Sequence, residues 1–469
     1  MCSFVGIISE KHDVLNHIES NVDSLFIKLR YRGPDLSKCC RYDNNTLLCG
    51  FVLAINDVVE QPRVNDESWL LWNGEIYNYD SSYANDSKFL FDFLNDGGVS
   101  NINSLDGEFA ICYFIHGMLH IITDPFYTKP VCFYIEDDLI IFSSYESAIK
   151  EIAPHAEVVH ALPNTHYVID TGKYKLVDQS EIYNWDFEPK YDTYDNWLTS
   201  YTNAILKRSK TDKKIFLPMS SGYDSGGICS EVLDNQIPIT VYTYKGVEDS
   251  KTLNARKESI NQSTNAEHYY VDIFDNFDED FAEFYHRVEN HIAYHYSGQP
   301  YLDIYHAYSC FAHYYICKEA KKSGHTICFS GHGADEIYSD YFTPNTQSVS
   351  VVRGDYTGWR KKWPNFDMGY GRNILGMFDR TAGCVGIETR YPFLDKDTVQ
   401  HFLWLSDELK NKNYKQCLYE SMSKSGFAFN ENKKSPLRVS EGDSNNDVFK
   451  RFLTNFYNKY NIQKPNYIK

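Results

Sequence analysis

Residues 220–225 read Ser-Ser-Gly-Tyr-Asp-Ser and follow a short apolar run, Ile215-Phe216-Leu217, closed by Pro218 and Met219. That run has the length and bounds of a buried strand. Gly226 and Gly227 come next, and the pattern then turns helical towards Leu233. Strand, small-residue loop and helix start together make an anion cradle, because backbone N–H groups converge there and the helix dipole adds partial positive charge. Asp224 would repel a phosphate unless a hard cation such as Mg2+ lay between them. The expected ligand is a metal-bound nucleotide phosphate; on these six residues alone, a plain polar strand-to-helix turn is the alternative. A second acidic loop, Ser330-Gly331-His332-Gly333-Ala334-Asp335-Glu336, follows the apolar run 326–329. Asp335 could complete a metal site with Asp224. At the other end of the chain, removal of Met1 would leave the Cys2 thiol beside a free α-amine. That amine titrates near neutrality and can serve the thiol as general base. Position alone equally fits an inert near-terminal cysteine.

These groups need elements to hold them. Short apolar runs at 47–55, 109–114, 118–122 and 139–142 alternate with polar turns, and helical spacing appears near 86–94. This predicts two packed sheets with helical layers. Residues 173–195 are polar, which places a boundary between domains 1–188 and 189–469. Beyond it, helical spacing at 197–206 and 253–260 alternates with strands at 215–217, 239–244 and 269–271. Alternation of this kind predicts a parallel sheet with right-handed crossovers. In open sheets of that type ligands sit at the carboxyl ends of the strands, where the 220–225 loop falls.

Composition narrows the class. A chain of 469 residues with 42% hydrophobic and 16% aromatic content can build two or three cores. The formal charge of −18 argues against a broad nucleic-acid footprint. No apolar run reaches the length of a membrane span, and the N-terminus lacks a basic, then apolar, leader pattern. The 12 cysteines show no zinc spacing, and Cys39 and Cys40 are adjacent. Reduced thiols in the cytoplasm are the expectation.

Four short motifs in order, Cys2, Arg32-Gly33-Pro34-Asp35, Asn73-Gly74-Glu75-Ile76-Tyr77-Asn78 and Leu105-Asp106-Gly107-Glu108-Phe109-Ala110, resemble the class II glutamine amidotransferase domain. The resemblance implies an Ntn-hydrolase-type α-β-β-α sandwich. In it Cys2 attacks the glutamine side-chain amide, Asn73 and Gly74 form the oxyanion hole, and Glu75 and Asp106 bind glutamine. Where that family carries an Arg for the glutamine carboxylate, this chain has Val52, with Arg63 nearby in sequence.

The 220–225 loop resembles the pyrophosphate loop of ATP pyrophosphatases, with Ser221 where a Gly is usual. Together with 330–336, Asp379-Arg380, 388–395 and the lysines near Asn432, the chain resembles the asparagine synthetase family over nearly its whole length. That likeness implies an ATP-pyrophosphatase-like parallel-sheet domain. Leu217, Ser220, Ser221, Gly222, Tyr223, Asp224, Ser225 and Gly331 would bind ATP, and Asp224 and Asp335 would hold Mg2+. His332, standing for the family Glu, would be a general base, and Lys434 would stabilise leaving pyrophosphate. Lys415 and Lys433 offer further cations. The implied activity is glutamine-dependent, ATP-dependent amide formation through an adenylate. The acceptor is a carboxylate: aspartate, or, given His332, a sugar uronate or peptide. A lactam synthetase and a regulatory remnant are the alternatives, and a homodimer is left open.

Overall fold

The computed structural model describes residues 2–56, 59–244, 248–272, 276–294, 300–338, 370–412, 415–430 and 445–460. Lys433 and Lys434 lie outside them. The chain forms two compact units. The first comprises Met1–Asn184, Arg287–Glu289 and Gly383–Gly386, and the second the remainder.

In the first unit the strands are β1 (Cys2–Ser9), β2 (Leu36–Arg41), β3 (Thr46–Val52), β4 (Arg63–Val64), β5 (Ser68–Ile76), β6 (Gly107–Ile115), β7 (Met118–Thr123), β8 (Cys132–Glu136), β9 (Leu139–Ser143), β10 (Val159–His160), β11 (Thr165–Asp170) and β12 (Lys175–Glu181). They make two six-stranded sheets, ordered β10-β8-β9-β1-β3-β2 and β12-β11-β7-β6-β5-β4. All their pairings are antiparallel. Helices α1 (His12–Leu25), α2 (Ile27–Arg32), α3 (Asp86–Asn95) and α4 (Glu146–Ile152) flank them.

Three apolar layers result. Phe4, Leu48, Trp69, Leu71, Ile121 and Phe142 fill the space between the sheets. Leu15, Leu29 and Ile149 seal the first sheet beneath its helices. Leu90 and Leu94 do the same on the second with Leu70, Ile111 and Ile122. Helix on sheet on sheet on helix is the expected α-β-β-α sandwich.

The cysteine expectation is corrected here. Cys39 on β2 faces Cys49 on β3 in register, and the two are joined by a disulfide. Successive strand residues point to opposite faces. Cys39 can therefore bond across the strands although Cys40 is its neighbour. The other cysteines carry no disulfide.

The second unit is built on a five-stranded sheet of order β15-β14-β13-β18-β19. Its members are β13 (Lys214–Pro218), β14 (Ile239–Tyr244), β15 (Ala266–Val271), β18 (His325–Phe329) and β19 (Glu388–Arg390), and a hairpin of β16 (Ile292–Tyr294) and β17 (Pro300–Asp303) stands apart. Every pairing in the sheet is parallel. Phe216 and Leu217 are fully enclosed, which is why β13 reads as a continuous apolar run rather than an alternating one. The helices are α5 (Asp195–Arg208), α6 (Tyr223–Asp234), α7 (Ser250–Gln262), α8 (Phe277–Arg287), α9 (Tyr308–Lys322), α10 (Ala334–Tyr338), α11 (Tyr370–Gly383), α12 (Lys396–Leu403), α13 (Asp407–Asn411), α14 (Gln416–Ser425) and α15 (Asn445–Tyr460).

The 388–395 motif serves this framework. Arg390 and Glu388 form a buried ion pair at 2.7 Å. Asp395 caps α12 and pairs with Arg208 at 2.7 Å and Lys207 at 2.5 Å.

Candidate active site

In the first unit the thiol sits at the start of β1, where Cys2 pairs with Val52 of β3. The backbone nitrogen of Cys2 donates to Asn73 Oδ1 at 2.8 Å. Arg32, fully buried, donates from Nε to the Cys2 carbonyl at 3.1 Å and from Nη1 to the Tyr145 hydroxyl at 3.0 Å. Asn73 is itself fully buried on β5, and its Nδ2 has no hydrogen-bond partner among the described residues. A buried amide donor without an acceptor is costly to leave unmade, and it is the donor an oxyanion would take up. Gly74 has φ +142°, and a Cβ there would lie 1.9 Å from the Glu108 carbonyl oxygen. Only glycine fits there.

A cavity of about 40 Å3 adjoins Cys2, walled by Val52, Trp72, Gly74, Glu75 and Ser87 among others. Neither Asp106 nor Arg63 is on that wall. Arg63 instead donates from Nε to Ser87 Oγ at 2.9 Å, one side chain removed from the cavity. Asp106 has its backbone fixed by Asn78, whose Oδ1 accepts from its N–H at 2.9 Å.

In the second unit the 220–225 loop leaves the carboxyl end of β13 and runs into α6, with Gly222 as N-cap. Its own hydroxyls shape it. Ser220 N–H donates to Ser225 Oγ at 3.0 Å and Gly222 N–H to Ser220 Oγ at 3.1 Å. Ser221, the departure from the pyrophosphate-loop pattern, is held from the segment after β14. Its N–H donates to the Glu248 carboxylate, and its hydroxyl accepts from Asp249 N–H at 3.4 Å.

The 330–336 loop leaves the neighbouring strand β18. Gly331 lets the two loops touch, since a Cβ there would lie 2.9 Å from Asp224 Cβ. Asp224 and Asp335 then converge on one cation, the Lys415 ammonium. It donates to Asp224 and lies 2.6 Å from Asp335 Oδ1. Lys415 precedes α14 in the left-handed conformation, φ +46°.

His332 lies on this second loop, with Nδ1 and Ser330 Oγ 2.6 Å apart in a hydrogen bond and its ring centroid 3.9 Å from that of Phe378. Burial, with His313 beside it, pushes the imidazole down to about 3, against a weak pull from Asp335. The ring is neutral at pH 7 and a feeble base. Its Nδ1 is engaged with the Ser330 hydroxyl. Burial pushes the Glu336 carboxyl the other way, up to about 7; its Oε2 accepts from Gly333 N–H at 2.8 Å.

Ser220, Asp224, Ser225, Gly331, His332 and Asp335 line one cavity of about 280 Å3, with Tyr244, His313 and Phe378. Leu217, Ser221, Gly222 and Tyr223 are not on its wall. Tyr223 is buried and packs its ring against Phe429 at 5.8 Å. A larger depression of about 830 Å3 lies at the opposite ends of the strands, around Lys214, Ile239 and His325, and holds none of these residues. Sequence reasoning left His313, Glu248, Glu336 and Phe378 without a role, and gave Lys415 no partner. Two carboxylates converging on one point suit a Mg2+ ion whose other ligands come from phosphate and water.

Residues 1–184 match the glutamine amidotransferase domain family, and residues 199–363 match the asparagine synthase family. The chain is 26% identical over 434 residues to the glutamine-hydrolyzing asparagine synthetase of Rattus norvegicus, covering 82% of this chain and 74% of that protein. It is 26% identical over 454 residues to the enzyme of the same name from Homo sapiens, covering 86% and 78%. The two domain matches follow in the order of the two structural units, and the chain belongs to an asparagine synthetase-like family that joins a glutamine amidotransferase domain to a synthetase domain.

Proposed function

We propose that the chain is a glutamine-hydrolysing, ATP-dependent amide ligase acting in the cytoplasm on a carboxylate other than free aspartate. The Cys2 thiolate attacks the glutamine side-chain carbonyl. Asn73 Nδ2 and Gly74 N–H take the oxyanion, the C–N bond breaks with release of ammonia, and water frees glutamate from the thioester. In the second unit the acceptor carboxylate attacks the α-phosphorus of ATP, pyrophosphate leaves, and ammonia then displaces AMP to give the amide. The 220–225 loop and the start of α6 hold the phosphates, and Lys415 offsets the charge of departing pyrophosphate. Mg2+, when bound through Asp224 and Asp335, would neutralise phosphate charge. His332 orients through Ser330, and the Lys434 role stays with this proposal.

The convergence of Asp224, Asp335 and Lys415 at the carboxyl end of a parallel sheet carries the reading. The Phe378 ring and the His332 imidazole, kept neutral by burial, line the cavity and support an acceptor less charged than aspartate. Isotope exchange between pyrophosphate and ATP, run over a panel of aspartate, uronates and peptide carboxylates, tests this. Exchange driven best by a uronate or peptide is expected. Exchange with aspartate alone would return the acceptor to aspartate, and none with any carboxylate would refute adenylation.

A further inference from the structure

The guanidinium of Arg256 lies beneath the 220–225 loop and takes no part in the chemistry above. Arg256 stands in the middle of α7 and is fully buried. Its Nη1 donates to the carbonyl oxygens of Ser220 at 2.5 Å and Gly222 at 3.0 Å. Its Nε donates to the Ala428 carbonyl at 2.8 Å, and its centre lies 5.4 Å from the Phe427 ring. The planar fork is thus fixed from one side by the segment after α14 and grips the loop with the other.

Two consequences follow from peptide geometry. In a trans peptide the carbonyl of one residue and the N–H of the next point in opposite directions. Turning the Ser220 and Gly222 carbonyls down onto Arg256 therefore turns the Ser221 and Tyr223 N–H groups up, away from it. The Ser221 N–H does meet an acceptor on that side, the Glu248 carboxyl group. The first turn of α6 is also fitted to the guanidinium. A Cβ on Gly226 would lie 2.3 Å from Nη2, so a side chain there would drive the fork off the loop. Nη2 itself is buried without a hydrogen-bond partner among the described residues.

We infer that Arg256 is the positioning residue of the nucleotide site: it presets two peptide planes of the 220–225 loop so that their N–H groups face the phosphates, and Gly226 is glycine to make room for it. The inference rests on the nucleotide reading of the loop. It assigns Arg256 no contact with substrate.

Calorimetric binding of the non-hydrolysable α,β-methylene analogue of ATP with Mg2+ tests it on the full chain. Folding is checked by circular dichroism and melting temperature. Gly226→Ala, which keeps the charge but displaces the fork, weakens binding by about tenfold or more, and Arg256→Ala by roughly ten- to hundredfold. In the Arg256→Ala background the added Gly226→Ala change costs less than about twofold, because the clash is gone. Arg256→Lys regains part of the affinity. Folded Gly226→Ala protein that binds like the unmodified chain, or fully additive effects in the double variant, overturns the inference while leaving the nucleotide reading intact. No binding by the unmodified chain overturns both. Should Arg256→Ala fail to fold, Gly226→Ala alone decides the matter.

Discussion

Replacing Lys415 by Met removes the ammonium that lies between Asp224 and Asp335. Its side chain is fully buried, while those of Asp224 and Asp335 are 28% and 15% exposed. Removing one partner of a buried ion pair costs about 3–5 kcal/mol. Partial exposure of the two carboxylates places this case at the low end, about 3 kcal/mol. Each kcal/mol moves the melting point of a domain of this size by about 2 °C, so the second unit should melt about 6 °C lower. The loss is conditional. Mg2+ can take the place of the ammonium between the two carboxylates, so millimolar Mg2+ without nucleotide should restore much of the melting point in Lys415→Met. It should leave the unmodified chain unmoved. Differential scanning calorimetry reads this, with the transition of the second unit identified as the one that Mg2+ and ATP together raise. A Lys415→Met protein that melts with the unmodified chain and ignores Mg2+ would refute the idea that the ammonium and a metal share one carboxylate pair.

Cys2→Ala should abolish glutamine hydrolysis and leave amide formation from added ammonia; residual glutamine turnover at the normal rate counts against the thiol. Asn73→Ala should lower the turnover of glutamine by about 10²–10³, and an unchanged turnover number removes it from the oxyanion hole. Asp124, fully buried and accepting from Phe109 N–H at 3.0 Å and Thr128 Oγ1 at 2.6 Å, has its carboxyl raised by burial to about 6. A raised folded value means stability held below about pH 4 and lost as pH rises through about 6, by about 3 kcal/mol for the first unit. Asp124→Asn should flatten that slope in melting curves taken from pH 4 to 7, and an unaltered slope would show that another group sets it.

Motifs whose residues answer to backbone geometry were readable from the chain. Gly74 admits no side chain beside Glu108, Gly331 allows the loops of β13 and β18 to meet, and Asp224 sits in the first turn of a helix after a buried strand. Each of these residues falls inside a short motif, and the motif rather than the contact it makes is what the sequence displays. Contacts that depend on distant register were not readable. Lys415 meets Asp224 across 191 positions, and the left-handed conformation falls on the lysine itself rather than on a glycine or asparagine. Arg256 lies on an ordinary helix and reads as a surface residue, since nothing nearby shows that a loop from β13 lies over it. The bond between Cys39 and Cys49 follows from strand register rather than from cysteine spacing. His332 stands where the loop motif places it; what the sequence concealed was the enclosure that keeps its ring neutral.

The central claim is that one chain moves the amide nitrogen of glutamine onto an ATP-activated carboxylate. Glutamine labelled with 15N at the side-chain amide, incubated with the full chain, ATP, Mg2+ and the carboxylate panel, tests it in one mass spectrum. The account predicts a product amide carrying 15N, formed one for one with AMP and pyrophosphate and lost in Cys2→Ala. Unlabelled product, or cleavage of ATP to ADP and phosphate, would contradict it.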